Sequence, residues 1–152
     1  MIYSNTKAPD FSLPDQHGVI HTLSEYLGKK VLIYFYPKDN TPGCTTEACS
    51  FRDSYKELSA SGLVVLGVSK DSVKSHKKFA DDFELPFPIL SDDDAKVCQL
   101  YGVFGMKKFI GKEYMGISRN SFLIDEKGFI SKIYEDVKPK EHVGQVSKDV
   151  KF

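Results

Sequence analysis

Two continuous apolar runs, residues 31–36 and 63–69, dominate the hydrophobic pattern of the chain. Each has the length and composition of a β-strand buried on both faces. Between them, apolar residues recur at alternating spacings of four and three, which predicts an amphipathic helix that ends at Ser61-Gly62: Cys44, Ala48, Phe51, Tyr55 and Leu58. A strand, a helix and a strand at this spacing indicate a parallel βαβ unit.

The middle of the chain continues the alternation. Residues 72–83 predict a charged amphipathic helix, and residues 87–90 predict a short strand. Residues 91–94 are typical of the cap of a short following helix. Residues 102–116 contain four glycines and little periodicity, so we expect a long surface loop there.

Two hairpins and a closing helix complete the pattern. Residues 121–125 and 129–134 are strand-like and flank a turn, and residues 11–13 and 19–21 predict a smaller hairpin near the N-terminus. Residues 141–150 predict a final helix. The sequence therefore predicts an α/β fold with a central sheet of mixed direction and helices on both sides.

Composition limits the classes of protein and partner. A chain of 152 residues with 41% hydrophobic residues is long enough for one domain with an ordinary core, and we expect a single domain over 1–152. The 21 basic and 21 acidic residues balance, which argues against a nucleic-acid or membrane-surface partner. Because the N-terminus lacks the pattern of a secretion signal and the three cysteines are an odd number, we expect free thiols and a cytoplasmic location.

Residues 36–49 carry the strongest chemical signal in the chain. Thr41 is a good N-cap, Pro42 suits the first helical position, and Cys44 then falls in the first turn. A thiol there faces unpaired backbone N–H groups and the positive end of the helix dipole. Both favour the thiolate, which is the reactive form of cysteine. A second thiol, Cys49, follows in the same helix.

The helix terminus alone supplies too little stabilisation for a fully ionised thiol. It contributes roughly 0.3–2 kcal/mol, so a further positive charge is needed. Lys38 and Arg52 are near in sequence but are not obviously placed to supply it. The one other arginine, Arg119, comes immediately before a predicted strand, and strand ends at a sheet edge are common places for site residues.

The chain resembles the peroxiredoxins, and within them the bacterioferritin comigratory protein or peroxiredoxin Q group. The resemblance is carried first by residues 37–53, PKDNTPGCTTEACSFRD, with an arginine before a later strand. Further segments in the same order cover nearly the whole chain: residues 8–15 (APDFSLPD), 90–92 (LSD), 101–103 (YGV), 116–119 (GISR) and 122–125 (FLID).

This resemblance implies a thioredoxin-like fold with an N-terminal β-hairpin extension and a role for each motif residue. Cys44 would be the peroxidatic cysteine, and Pro37 would shield it from solvent. The Thr41 hydroxyl would hydrogen-bond the thiolate and the incoming peroxide, and Arg119 would hold the thiolate. The backbone N–H groups of Gly43 and Cys44 would point at the oxygen under attack, where negative charge grows in the transition state.

The resemblance also implies the reaction partners. Hydrogen peroxide and alkyl hydroperoxides would be the substrates, Cys49 the resolving cysteine and thioredoxin the reductant. It implies no metal, haem or flavin cofactor. We expect the protein to be monomeric or weakly associating.

Geometry predicts that the resolving step changes the helix. Five residues apart in an intact α-helix, the Cα atoms of Cys44 and Cys49 would be roughly 8–9 Å apart on different faces. A disulfide requires less than about 7 Å. We therefore expect both residues to be helical in the reduced state, and the first turns to unwind when the disulfide forms.

Several other residues have two interpretations. Cys98 is interpreted as a small core residue. The alternative is that Cys98 acts as a resolving thiol. The run 92–94 is interpreted as a helix cap rather than a calcium site, because the glycine and glutamate of a calcium loop are missing. We expect the four histidines to be surface residues and Phe104 and Phe109 to be packing residues.

Two other functions remain open at this stage. A non-catalytic, redox-responsive binding protein would form the same disulfide without turnover. A general disulfide oxidoreductase is disfavoured because the chain has no C-x-x-C pair.

Overall fold

The computed structural model describes residues 2–150, so the ends of the predicted domain 1–152 lie outside the described residues. In chain order the strands and helices of this range are β1 (Ser12–Pro14), β2 (Ile20–Thr22), β3 (Lys30–Phe35), α1 (Pro42–Ala60), β4 (Leu63–Ser69), α2 (Val73–Phe83), β5 (Ile89–Ser91), α3 (Lys96–Leu100), β6 (Phe104–Phe109), β7 (Lys112–Ile117), β8 (Ser121–Ile124), β9 (Ile130–Tyr134) and α4 (His142–Val150). A short 3₁₀-helix, Leu23–Tyr26, follows β2.

A five-stranded sheet in the order β5-β4-β3-β8-β9 forms the centre of the molecule. Strands β3, β4 and β5 are parallel, whereas β8 runs antiparallel to β3, and β9 antiparallel to β8. Val31 of β3 lies beside Val64 of β4 on one side and Ile124 of β8 on the other. The predicted βαβ unit, the second hairpin and the mixed sheet are therefore confirmed.

Alternation along β3 divides the core into two layers. Leu32 and Tyr34 face a cluster that includes apolar residues of α1, α2 and α4. Ile33 and Phe35 face a second cluster, built with α3 and the N-terminal segment. Because both faces of β3 are covered, its sequence is a continuous apolar run rather than an alternating one. Helices on both sides of the sheet are confirmed.

The N-terminal hairpin is also confirmed: β1 and β2 pair antiparallel, with Leu13 opposite His21. Its strands lie outside the central sheet as a separate two-stranded unit.

The prediction of a long surface loop over residues 102–116 is wrong. This segment contains an antiparallel hairpin, β6 and β7, with Met106 opposite Met115. The turn places Ile110 and Gly111 in the left-handed region, at φ 49° and 74°. The two strands pair with each other outside the central sheet, and Phe109, Ile110 and Met115 are exposed. Only Ile117, at the end of β7, is buried in these two strands, so they lack the in–out alternation from which they could have been predicted.

Candidate functional site

Cys44 lies in the first turn of α1, beside the carboxyl end of β3. Only 1% of its surface is exposed. Pro42 is the first helical residue, and the Thr45 backbone N–H donates to the Thr41 carbonyl at 2.8 Å. The backbone N–H groups of the first turn lack intrahelical acceptors, as predicted for a helix N-terminus.

Thr41 occupies the N-cap position with an extended backbone, but its side chain makes no capping hydrogen bond to α1. Its hydroxyl instead donates to the Lys38 carbonyl at 2.9 Å. The prediction that Thr41 is the N-cap residue is therefore confirmed, although its hydroxyl is turned towards the preceding turn rather than towards α1. Pro37, between β3 and this turn, is exposed.

Arg119 approaches the thiol from the connection between β7 and β8. Its Nη2 lies 3.5 Å from Cys44 Sγ, and its Nη1 donates to Glu47 Oε1 at 3.0 Å. The backbone of Arg119 is also fixed, because its carbonyl accepts a hydrogen bond from the Val137 N–H at 2.9 Å. Residues 75 positions apart in the sequence therefore meet at one sulfur atom.

The charge on Arg119 is maintained by its neighbours. Burial lowers the pKa of its guanidinium, but the nearby Cys44 and Glu47 offset this, and the pKa is raised overall. A second cation, Lys107 of β6, lies near Arg119. Burial is the largest cause that lowers the pKa of the Lys107 ammonium, and the positive charge of Arg119 lowers it further. The site thus combines a fixed guanidinium with the positive end of a helix around one buried thiol.

Glu47 is a site residue that the sequence analysis did not single out. It lies three residues after Cys44 on α1, and its side chain has no exposed surface. Burial raises the pKa of its carboxyl to about 7, although Arg119 acts in the opposite direction. Its Oε2 atom is buried and has no hydrogen-bond partner among the described residues. The sequence did contain one signal for Glu47. It follows Cys44 by three residues in the predicted helix, so the two side chains share a helix face.

Gly43 provides space for the guanidinium. A Cβ atom at this position would lie 3.0 Å from Arg119 Nη2 and 3.6 Å from Pro139 Cγ. Both atoms belong to side chains that lie against the start of α1. The absence of a side chain at Gly43 therefore leaves room for Arg119 to reach Cys44.

All three cysteines are free. Cys44 and Cys49 both lie within the continuous helix α1, as expected for the reduced state. Cys98 has no exposed surface, and its backbone N–H donates to Asp92 Oδ2 at 2.7 Å. Burial, followed by the Asp92 carboxylate, strongly raises the pKa of the Cys98 thiol. The structure thus confirms Cys98 as a core residue, and Asp92, which accepts from two backbone N–H groups of α3, as a cap.

The expectation that all four histidines lie at the surface is wrong for His76 and His142, which are fully buried. His142 Nε2 lies 2.8 Å from Ser121 Oγ, and burial lowers the pKa of its imidazole to about 4. His76 Nδ1 lies 2.6 Å from Asp39 Oδ2. Among the expected packing residues, Phe104 is half-buried as predicted, whereas Phe109 is exposed.

Asp39, Asp71 and His76 form a group of metal-ligand type among the described residues, with one atom of each within 4.8 Å of the others. These atoms are already hydrogen-bonded: Asp71 Oδ2 accepts from the Asp39 N–H at 2.8 Å, and Asp39 Oδ2 contacts His76. The group therefore acts as an anchor for the turn that precedes α1.

Comparisons with known proteins agree with this geometry. The model of the AhpC/TSA family matches residues 4–133. The chain is 54% identical to the putative peroxiredoxin bcp of Coxiella burnetii, over 92% of this chain and 93% of the relative. It is 48% identical to the peroxiredoxin Bcp of Bacillus subtilis, over 95% of this chain and 92% of that protein.

Solved structures give the same result. A structure of the Xanthomonas campestris bacterioferritin comigratory protein, from work on its alkyl peroxide reduction activity, superposes with a TM-score of 0.91 at 36% identity, over 98% of both chains. The thioredoxin-like peroxiredoxin fold implied by the sequence is thereby confirmed. The chain belongs to the AhpC/TSA family and, within it, to the Bcp/PrxQ peroxiredoxins, which makes it a thiol-dependent peroxidase.

Proposed function

We propose that Cys44 is the peroxidatic cysteine of this enzyme and that the chain acts as one thioredoxin-like domain over residues 1–152. The Cys44 thiolate attacks the terminal oxygen of a hydroperoxide, and the O–O bond breaks. The products are a sulfenic acid on Cys44 and an alkoxide or hydroxide, which takes up a proton to become an alcohol or water.

The observation that carries this proposal is the contact between Arg119 and Cys44. Arg119 Nη2 lies 3.5 Å from Sγ, close enough to stabilise the thiolate. The same guanidinium and the N–H groups of Gly43 and Cys44 would then face the leaving oxygen, on which negative charge grows as the bond breaks. Donors that are already in place lower the barrier without reorganisation. We further propose Pro37 as the shield of the thiol and the Thr41 hydroxyl as a hydrogen-bond partner of the thiolate and the incoming peroxide.

We propose that Cys49 resolves the sulfenic acid. Its thiolate attacks the Cys44 sulfur, a disulfide forms, and hydroxide leaves. Because Cys44 and Cys49 both lie in the continuous helix α1, this step requires the first turns of α1 to unwind. The high pKa of the buried Cys98 thiol argues against its acting as the resolving thiol instead.

For the substrates, we propose hydrogen peroxide and alkyl hydroperoxides, in keeping with the alkyl peroxide reduction of the Xanthomonas relative. For the reductant we propose thioredoxin, as the resemblance of the motif implies. We further propose a cytoplasmic location, for which the free state of all three thiols is the supporting feature, and a monomeric or weakly associating protein. Within residues 2–150 there is no helix with the length and apolar character needed to cross a membrane.

A coupled assay tests the proposal. The protein is supplied with thioredoxin, thioredoxin reductase and NADPH, and NADPH consumption is followed after addition of hydrogen peroxide or an alkyl hydroperoxide. We expect turnover with the wild type and with Cys98→Ser, and none with Cys44→Ser. Disulfide formation without turnover would instead support a redox-responsive binding protein.

A further inference from the structure

The turn between β3 and α1 is anchored at Asp39, which lies between Pro37 and Thr41. The side chain of Asp39 is 3% exposed, and both of its oxygens are hydrogen-bonded. Oδ1 accepts from Tyr36 Oη at 2.6 Å, and Oδ2 accepts from Ser75 Oγ at 2.8 Å. The backbone N–H of Asp39 donates to Asp71 Oδ2 at 2.8 Å. Both carboxylate oxygens of Asp39 therefore serve as hydrogen-bond acceptors.

His76 of α2 completes this anchor, and the partners of its ring determine where its hydrogens lie. Nε2 is 3.0 Å from the Leu90 carbonyl oxygen, which can only accept a hydrogen bond. Nδ1 is 2.6 Å from Asp39 Oδ2, which is also an acceptor when the carboxylate is ionised. A neutral imidazole has one N–H group and could satisfy only one of these two contacts.

We infer that His76 is an imidazolium that forms a buried ion pair with Asp39, and that this pair is a positioning element for the peroxidatic site. The inference rests on the proposed function of Cys44. The pair joins the turn that carries Pro37 and Thr41 to α2. The charged and titratable groups facing the ring and its partner are Asp39 and Tyr36 from the β3 end and Asp71 from the end of β4.

The mechanical consequence follows from the position of the turn. Thr41 is the N-cap residue of α1, and Asn40 before it lies in the left-handed region at φ 62°. Without the ion pair, Asp39 would lose a buried charged partner, and the turn would no longer be held against α2. The start of α1 would then be less well fixed. The Cys44 thiolate would be less precisely placed for attack on the peroxide, and the Cys44 N–H less precisely placed to stabilise the leaving oxygen.

Two measurements test this inference. The first is ¹⁵N NMR of the reduced wild-type protein at pH 7. We expect both ring nitrogens of His76 to carry a hydrogen, in contrast to a single N–H on His142, which faces a hydroxyl and a side-chain amide. A neutral His76 ring with one N–H would overturn the ion pair, whatever the activity of the protein.

The second measurement is stopped-flow oxidation of the His76→Gln variant, followed separately for the peroxide step and for disulfide formation. We expect the peroxide step to slow by on the order of tenfold to a hundredfold, with disulfide formation unchanged or faster. His142→Gln is the matched control, because it removes the other fully buried histidine without contact to this turn. We expect it to destabilise the protein and leave the peroxide step unchanged.

A wild-type rate of the peroxide step in His76→Gln would overturn the positioning role. An equal slowing of both steps in both histidine variants would also overturn it, since that is the effect of general destabilisation. If Cys44→Ser still consumes peroxide, the proposed function fails instead, independently of the state of His76.

Discussion

Glu47 Oε1 accepts a hydrogen bond from Arg119 Nη1 at 3.0 Å, with the Glu47 side chain completely enclosed. The other terminal nitrogen of the same guanidinium lies 3.5 Å from Cys44 Sγ. Glu47 and Cys44 are three residues apart on α1 and therefore share a helix face. Glu47 thus orients the Arg119 guanidinium towards Cys44.

Arg119→Lys is expected to retain a positive charge but lose this orientation, because an ammonium cannot make the two-pronged contact of a guanidinium. We expect the rate of Cys44 oxidation to fall by about 100-fold, as for removal of one preorganised donor from an active site. Stopped-flow measurement with hydrogen peroxide checks this.

Arg52→Lys is the matched control, since Arg52 is the other arginine of the chain. Its Nη1 donates to the Phe83 carbonyl at 2.8 Å. We expect its oxidation rate to remain within about twofold of the wild type. Equal losses in the two variants would contradict a specific role for Arg119.

Gly43→Ala is expected to separate activity from stability. Its Cβ would lie 3.0 Å from Arg119 Nη2, so the guanidinium must shift. A displacement of this kind would slow the peroxide step by on the order of tenfold. The fold should persist, because alanine is the better helix former by about 1 kcal/mol.

Gly144→Ala in α4 provides the comparison, since a Cβ there meets no atom within 4 Å. We expect unchanged activity and a free energy of unfolding that rises by up to about 1 kcal/mol, measured by urea denaturation. Gly43→Ala with wild-type activity would show that Arg119 does not need its observed position.

The raised pKa of Glu47 predicts a component of the pH dependence of stability. The pKa of its carboxyl increases from 4.5 to about 7 on folding, so the folded protein binds this proton more tightly. Between about pH 4.5 and about pH 7 the unfolded chain loses the proton first, and the free energy of unfolding falls as pH rises.

Glu47→Gln removes this component. The difference in free energy of unfolding, wild type minus variant, is therefore expected to decrease by up to about 3 kcal/mol across this pH range. Urea denaturation of both proteins at a series of pH values measures it. A difference that is constant with pH would show that Glu47 keeps an ordinary carboxyl pKa in the fold.

Oxidation should unwind only the beginning of α1. Phe51 and Leu58 are buried in the core, so the helix from residue 51 onward has packing that holds it in place. Hydrogen exchange of the disulfide form is expected to show lost protection over residues 42–49 and retained protection over 51–60. Full protection of the first turns in a protein shown to contain the Cys44–Cys49 disulfide would contradict the predicted unwinding.

The sequence was most informative where local pattern and burial coincide. Strand β4 was predicted over its full length because its seven residues form one apolar run covered on both faces. The spacing of Cys44, Ala48, Phe51 and Leu58 likewise predicted the buried face of α1. The β6–β7 hairpin is largely exposed, with only Ile117 buried, and its glycines suggested a loop.

The site was predictable to the extent that it lies in one segment. Thr41, Gly43 and Cys44 follow from the helix start, whereas the nearness of Arg119 was suggested by its place before a strand. The burial of Glu47 and His76 depends on partners distant in sequence, Arg119 and Asp39, which no local periodicity reveals. Histidine has a polar side chain, and its burial is favourable only where partners hydrogen-bond its ring nitrogens.

Mass spectrometry of the Cys49→Ser variant after one equivalent of hydrogen peroxide tests the central claim most directly. A reagent that traps sulfenic acids is present, so the first oxidised sulfur is labelled before it reacts further. We predict the label on Cys44 and an unmodified Cys98. A label on Cys98, or an unlabelled Cys44 while peroxide is consumed, would contradict the account.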